Sequence, residues 1–262
     1  MYDFDFVRPT SIDEAVKALG EEDAQALAGG QTLIPTLKQR LAMPSRLVSL
    51  HGIAELKGIE KGSDAVTIGA GTVHGEISSE MKGTFAGLSI LAGKIGDPAV
   101  RNRGTIGGSL ANNDPAACYP AAVMATGATI VTNTREIAAD DYFQGMFTTA
   151  LEEGELIVKV RFPLPQASNY QKFEQPASRF PLVGVFVAKF ADRVGVGVTG
   201  ASDGGVFRWT EAEEALGSDF SAGALDGLTV PADDMIEDLH GSPEYRAHLV
   251  GVMTKRAVQA AA

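Results

Sequence analysis

Two glycine pairs, each followed closely by a hydroxyl residue, constrain this chain more than any other feature. The first stands in "AGGQT", which begins at Ala28, and the second in "RGTIGGS", which begins at Arg103. Glycine has no Cβ, so successive backbone N–H groups beside it can point into one concavity and bind an anion, above all a phosphate. A tight strand-to-helix turn would also require glycine at the first pair. Two such loops in different regions nevertheless predict a diphosphate in a cleft between them.

The second loop adds cationic side chains, since Arg101 and Arg103 stand beside a run of flexible backbone. Two arginines with amide and hydroxyl donors would suit a diphosphate. The alternative is a surface loop whose arginines pair with the many carboxylates of the chain. Neither loop contains the phosphate-binding pattern GxxxxGK[ST] or the dinucleotide-binding pattern GxGxxG, so two common nucleotide folds are not indicated.

Composition excludes several classes of protein. With 22 basic and 33 acidic residues the net charge is −11, which argues against a surface for nucleic acid or anionic membranes. The single cysteine, Cys118, cannot form a disulfide within the chain or hold an iron–sulfur cluster, which needs about four ligands. The four histidines lack the spacing of metal ligands, so no metal site is predicted.

Targeting signals are also missing from the sequence. The N-terminal segment has no basic region followed by an apolar run, so it does not resemble a signal peptide. Nowhere do about eighteen apolar residues follow one another, so no transmembrane segment is predicted. We expect a cytoplasmic protein, with at most a peripheral position at the membrane through a larger complex.

Apolar periodicity predicts three regions along the chain. A first helix is predicted in "TSIDEAVKALG", with Ser11 or Thr10 as its cap. Strand, helix and strand follow up to "RLVSL", and a second region of strands and helices carries the second glycine loop. A third region, beginning near Tyr170, has neighbouring strands in "LVGVFVAKF" and "RVGVGVTGAS", with a possible third in "GVFRW". Thr210 and Glu213 predict a capping box at the start of a helix. The terminal helix is expected to bury one face, formed by Tyr245, Leu249, Val252, Met253 and Val258.

Six segments, spread from the N-terminus to the last helix, carry a family resemblance. They read "YDFDFVRPTSIDEAV", "LAGGQTLIPTLKQRLAMPSRLVSL", "DPAVRNRGTIGGSLANNDPAACYPAAV", "LEEGELIVKVRFP", "YQKFEQPASRFPLVGVFVA" and "EYRAHLVGVMTKRAV". With these segments the chain resembles the FAD-binding (medium) subunit of the molybdenum hydroxylases, above all that of aerobic carbon monoxide dehydrogenases. The likeness covers nearly the whole chain, and the paired glycine loops in this order are highly specific to that family.

The resemblance implies an α+β fold. A PCMH-type FAD-binding domain of two subdomains, at 1–56 and 57–165, would be followed by a C-terminal α+β domain with a small antiparallel sheet at 166–262. Both glycine loops would wrap the diphosphate of one FAD. Carried over position by position, the cofactor contacts are Ala28, Gly29, Gly30, Gln31, Thr32, Ile95, Thr105, Ile106, Gly107, Gly108, Ser109, Asp114, Cys118, Ile157, Lys172 and Phe180.

Two of these positions depart from the family pattern. Cys118 stands where many members have an FAD-contacting aspartate, so either a cofactor contact or simple packing is expected there. A protonated thiol is a weak donor without charge, which puts a polar contact in doubt. Phe180 stands where some members have a tyrosine beside the isoalloxazine ring; it keeps the ring and loses the hydroxyl. The alternative for Phe180 is an ordinary core aromatic before a buried strand.

The function implied is that of an FAD-carrying electron-transfer subunit with no catalytic residue or metal of its own. Electrons would come from a small [2Fe-2S] subunit, substrate would react on a large molybdenum-cofactor subunit, and the assembly would be a dimer of heterotrimers. Two alternatives are a free-standing flavin oxidoreductase acting on a small molecule and a nucleotide-binding module without redox activity. The sequence leaves open the substrate and the electron acceptor of the assembled enzyme.

Overall fold

Three sheets of three or more strands follow one another along the chain in the computed structural model, which describes residues 1–261. The last residue of the third expected region, Ala262, lies outside the described residues. The mixture of helices and strands confirms the α+β class. The three sheets occur along the chain in the order of the three predicted regions. The division into domains at 56/57 and 165/166 stays a prediction.

The first sheet is parallel, with β3 between β1 and β2. Its first helix begins where the sequence predicts, because the Ser11 side chain accepts a hydrogen bond from the Glu14 N–H and caps it. Strand β2 runs directly into the first glycine loop. The elements are β1 (Asp5–Val7), α1 (Ile12–Leu19), β2 (Ala24–Leu27), α2 (Leu33–Lys38) and β3 (Arg46–Ser49).

The second sheet is antiparallel in the order β4-β5-β10-β6-β7, and β10 is its central strand. Short helices link the strands and pack against them, and β8 and β9 form a separate two-stranded hairpin. The elements are β4 (Ile59–Lys61), β5 (Ala65–Gly69), α3 (His74–Glu80), α4 (Ala86–Gly93), α5 (Pro98–Arg101), α6 (Ile106–Asn112), α7 (Tyr119–Thr126), β6 (Thr129–Thr132), β7 (Glu136–Ala138), α8 (Ala139–Tyr142), β8 (Phe143–Gly145), β9 (Thr148–Thr149) and β10 (Ile157–Pro163).

The third sheet is antiparallel, and its four strands lie in chain order. Three of them are the strands that the sequence predicts, and β11 is an addition. The valines at alternate positions of β13 join the apolar core beneath α10, while the glycines between them face α7 on the other side. The elements are β11 (Ala167–Glu174), β12 (Pro181–Lys189), β13 (Val194–Ser202), β14 (Gly205–Arg208), α9 (Thr210–Ser218) and α10 (Pro243–Ala261).

The predicted capping box at the start of α9 is wrong. The residue that caps this helix is Trp209, which makes no side-chain capping bond. Glu213 turns away from the helix start. Its Oε1 accepts hydrogen bonds from the N–H of Val196 and from Nε of Arg208, both at 2.9 Å. The glutamate therefore fixes α9 to β13 and β14.

The buried face of α10 contains Leu249, Met253 and Val258 as predicted, with Val252 half-buried, and it differs from the prediction at the start of the helix. Tyr245 is exposed, whereas Arg246 is only 3% exposed. The Arg246 guanidinium donates to the carbonyl oxygens of Leu182 at 2.9 Å and Gly200 at 2.7 Å and pairs with Asp238 at 2.7 Å. Because its charge is paired and its Nη1 bonds to two strands, this arginine can be buried at the base of the helix, although its Nε has no partner among the described residues.

Two kinds of feature do not occur within residues 1–261. No helix of that part of the chain is long and apolar enough to cross a membrane. No group of three or more histidine, cysteine, aspartate or glutamate side chains there is arranged to hold a metal ion.

Candidate functional site

A cavity of about 610 Å³ lies where the three sheets meet, with walls from all three regions of the chain. Its size is within the range of small-molecule and cofactor sites. All of the predicted cofactor contacts line it except Ile106. The Ile106 side chain is fully buried in the core of the second region. The structure therefore brings together, in one place, residues that are as far apart in sequence as Ala28 and Phe180.

The first glycine loop presents free backbone donors to this cavity. Among the hydrogen bonds of the described residues, none has the N–H groups of residues 29–33 as its donor. The first helical hydrogen bond after the loop is that of Ile34, whose N–H donates to the Gly30 carbonyl at 3.2 Å. Gly30 has a φ of 70°, a left-handed conformation that favours glycine. We call these five N–H groups the first-loop nest; they can bind an anion without any charged side chain.

The second glycine loop is built differently. Thr105 caps α6, and its side chain accepts from the N–H of Gly108 at 3.2 Å. The expectation that this loop also offers a row of free N–H groups is therefore wrong, and the loop forms a wall of the cavity. The remaining bonds of its N–H groups are Ile106 to Thr72 O at 3.2 Å, Gly107 to Ala70 O at 2.8 Å and Ser109 to Thr105 O at 3.1 Å.

The arginines of the second loop do not face the cavity. Arg101 directs its Nη1 to the carbonyl oxygens of Ile95 at 3.1 Å and Gly96 at 2.8 Å, so it fastens the segment that precedes the loop. Arg103 does not line the cavity, and its carbonyl lies against Gly29 of the first loop. The predicted pair of arginine ligands for an anion is therefore wrong for this site.

A buried lysine organises the opposite end of the cavity. The Nζ atom of Lys172 donates to the carbonyl oxygens of Lys94, at 2.7 Å, and Arg179. It therefore ties the end of α4 to the loop between β11 and β12. That loop carries Phe180, which lines the cavity and is 49% exposed. The alternative that Phe180 is a core aromatic is therefore wrong.

Cys118 lies in the cavity wall just before α7 and is 5% exposed. Burial raises the pKa of its thiol, and the nearby charge of Lys172 opposes this only in part. The thiol is therefore neutral at physiological pH. It cannot supply the negative charge that an aspartate at this position would bring to the site.

We expect the Cys118 thiol to resist alkylation in the folded protein and to react after unfolding. Its burial and raised pKa leave little accessible thiolate, which is the reactive form. Labelling with iodoacetamide at about pH 8, followed by mass spectrometry with and without denaturant, measures this difference. Cys118→Ser is the control that takes no label. Equal labelling rates in the folded and unfolded protein would contradict the buried position.

Glu155 and His74 are titratable residues of the cavity wall that sequence reasoning missed, as is Arg179. Glu155 has oxygens that are occupied by Arg135, Thr132 and Thr134, and the Arg135 hydrogen bond is the largest cause that lowers its pKa to about 2. Those contacts hold the segment of Glu155 to the turn that contains Thr132, Thr134 and Arg135. His74 is 4% exposed; burial, with the charge of Arg101 adding to it, lowers its pKa to about 4. Neither Glu155 nor His74 stands in a sequence pattern that would have indicated it.

Nearly the whole chain is similar in sequence to proteins of known function. Residues 2–165 match the family model described as the FAD binding domain in molybdopterin dehydrogenase. The carbon monoxide dehydrogenase medium chain of Afipia carboxidovorans is 35% identical, over 98% of this chain and 96% of that protein. The nicotine 6-hydroxylase medium subunit of Paenarthrobacter nicotinovorans is 34% identical, over 97% of this chain and 95% of its own length.

Solved structures show the same likeness in three dimensions. A chain of the cyanide-inactivated Cu,Mo-CO dehydrogenase superposes with a TM-score of 0.88 at 34% identity, covering 98% of this chain and 97% of that one. A chain of quinoline 2-oxidoreductase from Pseudomonas putida 86 gives a TM-score of 0.86 at 28% identity, covering 99% and 97%.

The residues present fit FAD as the cofactor of this cavity. The first-loop nest suits the diphosphate that joins the two halves of FAD, since backbone N–H groups bind phosphate oxygens well. The cavity continues from the nest to the apolar side chains of Ile95 and Phe180, which suit an aromatic ring system.

Proposed function

Because the chain belongs to the family of FAD-binding domains in molybdopterin dehydrogenases, we propose that it carries the FAD of a molybdenum hydroxylase as its electron-transfer subunit. FAD supplies the redox chemistry, and the chain supplies binding, orientation and electrostatic surroundings. Electrons reach this site from iron–sulfur clusters of a partner subunit and leave to an external acceptor. The resemblance to medium chains of carbon monoxide dehydrogenase over nearly the full length supports this role.

The observation that carries this proposal is the chemistry of the cavity wall. Its nest consists of uncharged donors, and three ionisable side chains around it, those of Lys172, Glu155 and Cys118, are occupied by structural bonds or kept neutral. Lys172 binds two carbonyl oxygens, Glu155 is held by Arg135, and Cys118 is a buried thiol. Such a wall holds a cofactor in place and offers no paired acid and base for converting a second substrate.

We propose that the remaining redox centres belong to other chains. One cysteine cannot ligate a cluster that needs about four sulfur ligands. The partners are accordingly a small [2Fe-2S] subunit and a large subunit with the molybdenum cofactor, arranged as a dimer of heterotrimers. Relatives named as medium chains or subunits support a place in such an assembly.

We also propose the predicted cofactor contacts as the FAD contacts of this chain, held between regions 1–56, 57–165 and 166–262. The position of fifteen of these residues in one cavity supports this assignment. Ile106 contributes through packing behind the wall. Phe180, exposed at the cavity, is proposed to face the isoalloxazine ring.

The purified chain is expected to bind FAD without catalysing substrate-dependent reduction of the flavin. The complex is tested with an affinity-tagged chain expressed in the organism that naturally produces it. Affinity purification should yield two further subunits, and metal analysis of the eluate should find molybdenum and iron. Flavin absorbance in this complex should fall on addition of the substrate of the large subunit and recover with an acceptor.

The control is the same complex reconstituted with chain stripped of FAD, which should reduce its iron–sulfur clusters without passing electrons to the acceptor. Dithionite should reduce the flavin in the isolated chain and so show that it is competent. If the isolated chain turned over an organic substrate by itself, it would be a free-standing flavin oxidoreductase and the proposed role would be wrong.

A further inference from the structure

The imidazole of His74 has one nitrogen engaged and one unused. Its Nδ1 lies 3.2 Å from the hydroxyl of Tyr119, in a buried contact. Its Nε2 has no hydrogen-bond partner among residues 1–261, although the side chain is 4% exposed and lines the cavity. This nitrogen is not among the fully buried side-chain atoms without a partner, so it is open to the cavity and can bond to a molecule that binds there.

The position of this nitrogen is next to the first-loop nest. A Cβ placed on Gly104 would lie 2.6 Å from His74 Nε2, so the Nε2 edge packs against Gly104. A Cβ on Gly29 would lie 2.7 Å from the Cα of the same Gly104. Gly29 and His74 thus contact a single residue and line a single cavity.

The hydrogen bond to Tyr119 decides which nitrogen carries the proton. The Tyr119 hydroxyl is fully buried, and His74 is its only hydrogen-bond partner within the described chain. If Nδ1 donated to this oxygen, the phenolic proton would have no acceptor. If the phenol donates to Nδ1, both groups are satisfied and the ring proton lies on Nε2, facing the cavity.

The surroundings favour a neutral ring as donor. Burial disfavours the imidazolium form of His74, and the positive charge of Arg101 adds to this effect. A neutral Nε2–H complements a nest that is itself made of uncharged N–H groups.

We propose that His74 Nε2–H donates a hydrogen bond to the diphosphate of bound FAD, and that Tyr119 is the positioning residue that holds His74 in this tautomer. This inference rests on the FAD site proposed above. It adds to the nest a side-chain donor from α3, an element outside both glycine loops.

The first test measures cofactor affinity in the variant His74→Phe, which keeps a ring and removes the donor. Loss of a hydrogen bond to a charged group predicts a rise of about tenfold or more in the Kd of FAD. Fluorescence titration of apoprotein should show the same factor for ADP, which retains the diphosphate, and no change for riboflavin, which lacks it. Tyr119→Phe removes the hydroxyl that fixes the tautomer of His74 but keeps the imidazole. This variant should therefore weaken ADP binding less than His74→Phe does.

The variants are compared at equal folded fraction, checked by circular dichroism. Wild-type protein that binds no FAD would overturn the proposed cofactor site itself. Wild-type binding of FAD with an unchanged Kd for ADP in His74→Phe would overturn only the role of His74. Equal weakening of ADP and riboflavin would also overturn it, because a general packing defect would then explain the loss.

The second test does not depend on a change in affinity. In protein labelled with ¹⁵N-histidine, two-bond correlation spectra distinguish the two neutral tautomers. We expect His74 as the Nε2–H form, assigned by the peak missing in His74→Phe, with an Nε2 resonance that moves on addition of ADP. The Nδ1–H form, or an Nε2 resonance that ADP leaves unmoved, would contradict the proposal.

Discussion

Gly29→Ala should lose most of its bound FAD. A Cβ at this position would lie 2.2 Å from the Arg103 carbonyl oxygen and 2.7 Å from the Gly104 Cα. Both are backbone atoms of the second loop, so neither can rotate away as the end of a side chain can. The two loops would have to separate, and the first-loop nest would move relative to the opposite wall of the cavity.

Overpacking of this kind costs about 1–3 kcal/mol, which corresponds to a loss of about ten- to hundredfold in affinity if it is expressed in binding. The ratio of flavin to protein after gel filtration, with Kd from titration of apoprotein, measures the effect. Gly83→Ala is the matched control, since no heavy atom lies within 4 Å of its added Cβ. Full FAD occupancy in Gly29→Ala would mean that the loops do not meet in this way.

Gly197→Ala should have the second large effect, on folding stability. The added Cβ would lie 2.1 Å from the carbonyl oxygen of Ala121, because α7 rests directly on β13. Gly195 has the same relation to Ala125, at 1.8 Å. Neither the strand, which is hydrogen-bonded on both sides, nor the helix backbone can yield without disturbing the core around it.

We expect a loss of about 3 kcal/mol in the free energy of unfolding, or a fall of about 6–12 °C in Tm for a domain of this size. Thermal denaturation of apoprotein followed by circular dichroism measures it. Gly251→Ala, in the open interior of α10, is the matched control and should stabilise by about 0.5–1 kcal/mol. Similar Tm values for the two variants would contradict close packing of α7 on the sheet.

Local patterns in the sequence predicted the parts of the fold that local interactions determine. Ser11 precedes an amphipathic stretch, and it caps α1 as expected. The glycine pairs marked two walls of the cavity, and the family resemblance brought Lys172 and Phe180 to the same place. In each case the decisive neighbours are close in sequence or are carried by a motif.

The failures have a common physical cause, which is competition from partners distant in sequence. Thr210 and Glu213 match a capping box, but Glu213 has better partners in Arg208 and the Val196 N–H. The N–H groups of the second loop are taken by carbonyls of Ala70 and Thr72, which no spacing rule could place beside them. His74 gives no signal at all, since its importance depends on Tyr119 and Gly104 meeting it in space.

Because residues from all three regions of the chain line the cavity, its wall is completed in steps as the chain is synthesised. A nascent chain that has emerged only through residue 165 already includes both glycine loops but lacks Lys172 and Phe180, so one side of the cavity stands open. That side closes only after the hairpin of β11 and β12 has left the ribosome and docked. The last described residue that lines the cavity is Pro181, so a complete cavity wall requires synthesis and folding of the chain as far as β12.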